Sequence, residues 1–240
     1  MNNNDKFIEL YNKLDTILRE HNNISSRTIS CIKRYEDELK VSQFESVRNR
    51  GFALESIRNV RNTLIHDAKI YSIDAFDIND KVILFLEKEI DYLLNPKRLI
   101  DIAVKIENVY SVSLNDNLQD VIFYLSKHKI SHAPLLDENG ILLGVFSEST
   151  LFSYLLKHNE VSITNDTKIK DFYEYLLIDN HSSERFEFLP YNKYVTSLNI
   201  SLNKKAKHEK RIAMIFLTKT GRKDEKILGI MTSSDFININ

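Results

Sequence analysis

Gly144-Val-Phe-Ser-Glu-Ser-Thr150 and Gly229-Ile-Met-Thr-Ser-Ser-Asp235 are two copies of one pattern. Both run glycine, β-branched residue, large apolar residue, hydroxyl residue, and place a serine two positions further on. Working outward, each copy is preceded by an apolar run and a glycine-bearing turn. Residues 133–136 read as a strand, Asn139-Gly140 as a hairpin turn and 141–147 as the return strand. Residues 212–218, Gly221 and 227–232 repeat that order. Upstream, 109–113 reads as a strand and 118–127 as a helix behind the cap Asp116, with 186–189 and 195–202 as counterparts. A helix over 148–158 closes the first copy, and Ser233 starts a short helix that closes the second. Four of the five glycines fall at matching places, so this is an internal repeat with copies at about 100–160 and 161–240. Each copy reads β-α-β-β-α.

Before Pro96 the periodicity is different. The first 95 residues hold a single glycine, Gly51, and no proline. Phe7, Leu10, Tyr11, Leu14, Ile17 and Leu18 recur at helical spacing over 5–21. A second helix is expected from a cap at Ser25 or Ser26, carrying Ile29, Ile32, Tyr35 and Leu39. A third is expected over 44–66, with Leu54, Ile57, Val60 and Leu64 inward. The fourth follows a polar stretch at 72–79 and carries Val82, Ile83, Leu86, Ile90, Leu93 and Leu94. The expected fold class is therefore α + α/β, a four-helix bundle over 1–95 followed by the paired repeats over 100–240.

Ala133-Pro-Leu-Leu-Asp137, Gly140, Gly144 and Ser147 in the first copy resemble the CBS repeat, and Gly229-Ile-Met-Thr-Ser-Ser-Asp-Phe236 resembles its closing motif. The resemblance implies a tandem CBS pair whose sheets pack together and leave clefts for AMP, ATP, S-adenosyl-methionine or related adenosyl ligands. It implies that Thr232 and Asp235 bind the ligand, the hydroxyl at phosphate and the carboxylate at the ribose hydroxyls, from which it can accept two hydrogen bonds. Thr232-Ser-Ser-Asp235 is also close to a capping box, which leaves Asp235 a second reading as a helix cap. Thr150 occupies the aspartate place in the first copy, and Ile215 the proline place in the second. One nucleotide site is expected rather than two.

Arg61-Asn-Thr-Leu-Ile-His66, at the end of the third helix, resembles the motif of HEPN domains. That family contains metal-independent endoribonucleases and toxins, along with members that lack nuclease activity. The resemblance implies a homodimer in which two motifs meet, with Arg61, Asn62 and His66 catalytic. His66 would move a proton to or from the RNA 2′-hydroxyl or the leaving oxygen, Arg61 would stabilise charge on the pentacovalent phosphate, and Asn62 would orient groups. On helical geometry Asn62 and His66 share a face turned away from Ile57, Val60 and Leu64. The other reading makes His66 a cation compensating a helix C-terminus, with Arg61 solvated or paired to Glu55 or Asp67.

The bulk properties bound the rest. A formal charge of −1 gives no global field for nucleic acid, so RNA contact needs a local patch and no DNA partner is expected. The single cysteine, Cys31, excludes an internal disulfide and reads as core. No apolar run approaches a membrane span and the first residues lack a signal-peptide pattern, so a cytoplasmic chain without a membrane partner is expected. His66-Asp67 resembles a metal-binding dyad, but the other histidines show no ligand spacing, so no metal and no catalytic cofactor is expected. Lys204-Lys-Ala-Lys-His-Glu-Lys-Arg211 is the one basic cluster, read either as a contact for ligand phosphates or RNA or as a solvated loop.

The expected function is an adenosyl-ligand-sensing, CBS-regulated endoribonuclease of the HEPN type, in a stress, toxin or phage-defence role. The alternative is a non-catalytic nucleotide sensor or scaffold whose bundle dimerises or docks a partner. The two differ in whether Arg61, Asn62 and His66 line an open cleft or pack into a dry interface.

Overall fold

The computed structural model describes residues 2–25, 30–67, 77–158, 163–198 and 210–236. These fall into two compact units, one holding residues 2–97, 194–198 and 236, the other holding Arg98–Lys193 and 210–235.

The first unit is helical. Helix α1, Asn3–His21, starts where the Asn2 side chain accepts from the Asp5 amide, and buries Phe7, Tyr11, Leu14, Ile17 and Leu18. Helix α2, Cys31–Lys40, begins at Ser30, whose hydroxyl accepts from the Lys33 amide. The cap is thus Ser30 and not Ser25 or Ser26; Ser26 and Ile29 lie outside the described residues. Helix α3, Glu45–Asn62, continues as one π-helical turn, Thr63–Asp67, and α4, Asp80–Leu94, starts at the Asn79 cap. Helix α1 packs on α4 and α2 packs on α3. Cys31 is buried, as its place on the apolar side of α2 implied.

One inward assignment needs correction: Val60 is 38% exposed. The buried positions of α3 are Val47, Arg50, Gly51, Leu54 and Ile57, and continuing their three-and-four spacing lands on Arg58 and Arg61, not on Val60. The inner face of α3 therefore turns from apolar to cationic at its end. Upstream, Arg50 sits in a buried pair with Glu89, its Nε and Nη2 at 2.7 and 2.8 Å from the carboxylate, with the Tyr35 hydroxyl beside them.

The second unit opens with a short helix α5, Leu99–Ile102, and strand β1, Val104–Lys105. Helix α6, Leu118–His128, leads to the hairpin of β2, His132–Leu136, and β3, Leu142–Ser147, and then to α7, Glu148–Lys157. A 3-10 turn, Ile169–Phe172, runs into α8, Tyr173–Leu176. Strands β4, Glu184–Pro190, β5, Arg211–Thr218, and β6, Gly229–Met231, follow, and a 3-10 turn, Ser233–Phe236, ends the described chain.

The repeat is visible in the pairing. In the second copy β4 runs parallel to β5, which is antiparallel to β6. In the first copy Val112 bridges Leu135 in parallel, and β2 is antiparallel to β3. The strand expected over 109–113 is thus reduced to one bridge, because a 3-10 turn at Ile106–Asn108 and a turn held by Asp116 on the Ser113 amide leave only Val112 in register. With Asp116 so engaged, Asn117 caps α6 instead, accepting from the amides of Gln119 and Asp120. The helix expected over 195–202 begins as a 3-10 turn, Val195–Ser197, and its remainder past Leu198 lies outside the described residues. The turns over 169–176 were not anticipated, yet Ile169, Phe172 and Leu176 are fully buried in the first copy's core beside Leu118, Leu135 and Phe146. Period-two alternation sends the neighbouring Val145 the other way, into a second cluster with Met214, Phe216 and Ile230.

The lead-in segments cross. The opening residues of the first copy supply β1, which pairs with β6 of the second. The opening residues of the second copy supply α8, which lies on β3 of the first. At each crossing a carbonyl passes over the glycine of the repeated motif. A Cβ on Gly144 would stand 2.5 Å from the Leu176 carbonyl oxygen, and one on Gly229 would stand 3.0 Å from that of Val104. Glycine opens both copies of the motif because backbone, not side chain, occupies the space above it. Gly144→Ala should therefore lower stability by about 1–3 kcal/mol, through displacement of α8. Gly229→Ala should lower it less. Thermal denaturation of the two variants reads this directly, and a Gly144→Ala protein melting with the wild type would sink the crossing.

Candidate functional site

The second unit contains a cleft of about 380 Å³. Lys129, at the left-handed C-cap of α6 (φ 55°), and the residues leading into β2 form one wall. The first residues of β5 form another, and Thr232 and Ser234, just past β6, stand at its edge. The Thr232 and Ser234 hydroxyls are 2.7 Å apart. Thr232 was singled out from sequence and does line the cleft. Asp235 was paired with it, and its carboxylate accepts from the Thr232 amide at 2.6 Å and from the Thr232 hydroxyl at 3.1 Å. That is the capping contact, and it also fixes the Thr232 side chain at the cleft.

The first copy repeats this arrangement with a different outcome. Ser147 and Ser149 place their hydroxyls 2.8 Å apart, and Thr150 accepts from the Ser147 amide at 3.0 Å, in the place of Asp235. Here the hydroxyl pair is not open. The Glu184 carboxylate, at the start of β4, receives Ser149 at 2.8 Å and Ser147 at 3.3 Å. His132 Nε2 stands 2.9 Å from Glu184 Oε1, His181 Nδ1 stands 3.4 Å from Oε2, and Arg211 donates from Nη2 at 3.2 Å. Glu184 is 4% exposed. His132 and Arg211 belong to both places, since they hold Glu184 and also line the open cleft. Among the described residues no group of three or more His, Cys, Asp or Glu side chains is placed to hold a metal ion. No helix among them is long and apolar enough to cross a membrane.

The helical unit has a cleft of its own, about 920 Å³, between α1, α2 and the end of α3. Tyr11 and Asp15, Lys33, and Arg58, Arg61 and Asn62 line it. Arg58 is tied to Glu36 by contacts of 3.0–3.2 Å. Among the described residues Arg61 has no carboxylate partner. Its Nη1 reaches Asn62 Oδ1 at 3.4 Å, its guanidinium lies 5.5 Å from the Tyr11 ring centre, and its buried Nε has no hydrogen-bond partner among them. Arg61 and Asn62 thus share an open cleft. The side chain of His66 lies outside the described residues, so the structure does not place the third member of the motif.

Residues 101–157 match the family model of the CBS domain. The chain is 44% identical over 46 residues to the uncharacterized protein MJ1426 of Methanocaldococcus jannaschii, covering 19% of this chain and 27% of that protein. The match thus spans about a quarter of that relative's length. Among solved structures, a conserved protein domain of unknown function from Neisseria meningitidis aligns with TM-score 0.44 and 18% identity, over 76% of this chain and 99% of that one. The CBS domain pair of protein MJ0100, solved with methylthioadenosine and S-adenosyl-L-methionine, aligns with TM-score 0.38 and 21% identity, over 58% and 92%.

The electrostatics of Glu184 have a measurable consequence. Burial pulls its carboxyl up, but the hydrogen bonds from His132 and His181, the charge of His132 and the bond from Ser149 outweigh burial and hold it well below the usual carboxylate range. A group with a depressed folded value contributes in full above its unfolded value, about 4.3 for glutamate, and loses that contribution as pH falls from there through the folded value. Between about pH 5 and pH 3 the urea midpoint of the wild type should therefore fall more steeply than that of Glu184→Gln, which takes up no proton there. Parallel pH profiles for the two proteins would show that the carboxylate is not held as described.

Proposed function

We propose that the second unit is a CBS-type sensor that holds an adenosyl ligand in the cleft beside Thr232. The observation that carries this is that the hydroxyl pair of the repeated closing motif lines an open cleft in the second copy and is taken up by Glu184 in the first. Thr232 and Ser234 present hydroxyls at the edge of a space of nucleoside size, and the equivalent Ser147 and Ser149 are filled from within. The match of residues 101–157 to the CBS domain supports the reading. Asp235, which caps Thr232, is in this reading the carboxylate for the ribose hydroxyls.

Calorimetry with AMP, ATP and S-adenosyl-methionine tests this residue by residue. Asp235→Ala should weaken binding by about one to two decades, as expected for loss of roughly 1.5–3 kcal/mol of charge-assisted hydrogen bonding. Thr150→Ala should leave the affinity unchanged while lowering the melting temperature, because Thr150 is buried and bonds only the backbone of Ser147. Equal affinity in the wild type and Asp235→Ala would leave Asp235 as a cap and move the ligand elsewhere.

A second reading, for the helical unit, is RNA cleavage of the HEPN type by a homodimer. One observation favours it over a scaffold. Arg61 and Asn62 line an open cleft, and Arg61 keeps a buried Nε free of any partner among the described residues instead of packing into a dry contact. In this reading Arg61 neutralises charge on the pentacovalent phosphate as the 2′-oxygen attacks, and His66 moves the proton. His66→Ala and Arg61→Ala should each lower cleavage by about two orders of magnitude or more, with activity persisting in EDTA and fragments ending in 2′,3′-cyclic phosphate. Gel assays across the ligand panel decide it. A His66→Ala protein that cuts as well as the wild type would leave the bundle as a scaffold.

A further inference from the structure

Among the described residues lining the cleft of the second unit there are two permanent cations, Lys129 and Arg211, and no aspartate or glutamate. The Asp235 carboxylate is engaged by Thr232, and that of Glu184 by His132, Arg211 and the first copy's hydroxyl pair. Among the described residues Arg211 is held by one side-chain contact, 3.2 Å from Nη2 to Glu184, and the side chain is 74% exposed, so turning it into the cleft breaks little. His132 adds a further nitrogen-bearing side chain to the same wall.

The repeat supplies an internal comparison. Ser147 and Ser149 are the counterparts of Thr232 and Ser234, with the same hydroxyl-to-hydroxyl contact, 2.8 Å against 2.7 Å. In the first copy that pair donates to an anion, the Glu184 carboxylate, and Arg211 completes the shell around it. The protein thus displays, at its own filled position, what such a pair accepts when a guanidinium stands beside it: a negatively charged oxygen.

We infer that the cleft selects a phosphorylated nucleotide over an uncharged or cationic adenosyl compound, with Arg211 and Lys129 as the residues that read the phosphate. This rests on the adenosyl reading of the same cleft. On binding, Arg211 leaves Glu184 for the ligand phosphate, and the two histidines and two serines keep Glu184 satisfied. A sulfonium such as that of S-adenosyl-methionine meets the like charges of Lys129 and Arg211 in the cleft.

Calorimetry on the full chain with ATP, AMP, adenosine, methylthioadenosine, S-adenosyl-methionine, GTP and pyrophosphate tests it. ATP or AMP should bind at least about tenfold more tightly than adenosine and lose affinity as salt is raised. Arg211→Ala should weaken ATP by about tenfold to a hundredfold and leave adenosine unchanged, with Arg211→Lys falling between. Adenosine or S-adenosyl-methionine binding as tightly as ATP overturns the inference and leaves the adenosyl reading standing. So does an Arg211→Ala protein that binds ATP like the wild type. Binding of GTP or pyrophosphate with no adenosine compound bound leaves the charge selection standing and removes the adenosyl reading. No binding by any of them removes both.

Discussion

Two backbone crossings hold the second unit in shape. The carbonyl of Leu176 runs over Gly144 at a distance no side chain would permit, and that of Val104 runs over Gly229 at one that leaves a side chain little room. Each crossing brings the lead-in of one copy onto the closing strand of the other. From this follow the β1–β6 pair at one sheet edge, the burial of Ile169, Phe172 and Leu176 in the first copy's core, and the position of each closing motif beside residues of the opposite copy. Arg211 reaches Glu184 because the two are register partners on β4 and β5, and Thr232 of the second copy lines the same cleft as Lys129 of the first because the copies interlock.

Interlocking also makes the two hydroxyl pairs unequal. One position of the repeat has been given a permanent anion from β4, bound by two imidazoles, two hydroxyls and a guanidinium, while the other remains open. A buried carboxylate is tolerable only with such a set of donors around it, since removing it from water without them would cost several kcal/mol. The donors in turn limit what the neighbouring cleft can accept, because His132 and Arg211 serve both. In the helical unit the balance is struck differently. Arg50 and Arg58 are matched by Glu89 and Glu36, and Arg61 has no carboxylate matched to it among the described residues.

Local signals were legible where a contact lies within a few residues of sequence. The apolar run of 141–147, the Asn139-Gly140 turn and the stripe of α1 each lie within one element, and all three were visible. Thr232 was legible because its motif occurs twice. Glu184 was not, since His132 stands 52 residues away from it and no spacing rule connects them. Arg211 was seen only as the end of a basic run. The choice between Asp116 and Asn117 as cap, and between Val60 and Arg61 as the inward residue, turned on single steps of register. Such steps are settled by competing hydrogen bonds and by where the buried stripe has drifted after four turns, neither of which composition or propensity resolves.

The crossed lead-ins also impose an order of assembly. Val104 pairs with Ile230, so an early strand of this unit waits for a strand synthesised near its end. Until β6 emerges from the ribosome, β1 has no edge to join, and Val145 lacks Met214, Phe216 and Ile230 to cover it. The loop that must close is long, and the contact that rewards closing it comes last, which places the unit among slow, non-local folders. A nascent first copy is therefore an unfinished sheet with an apolar face open to water, the state in which a growing chain depends most on chaperones.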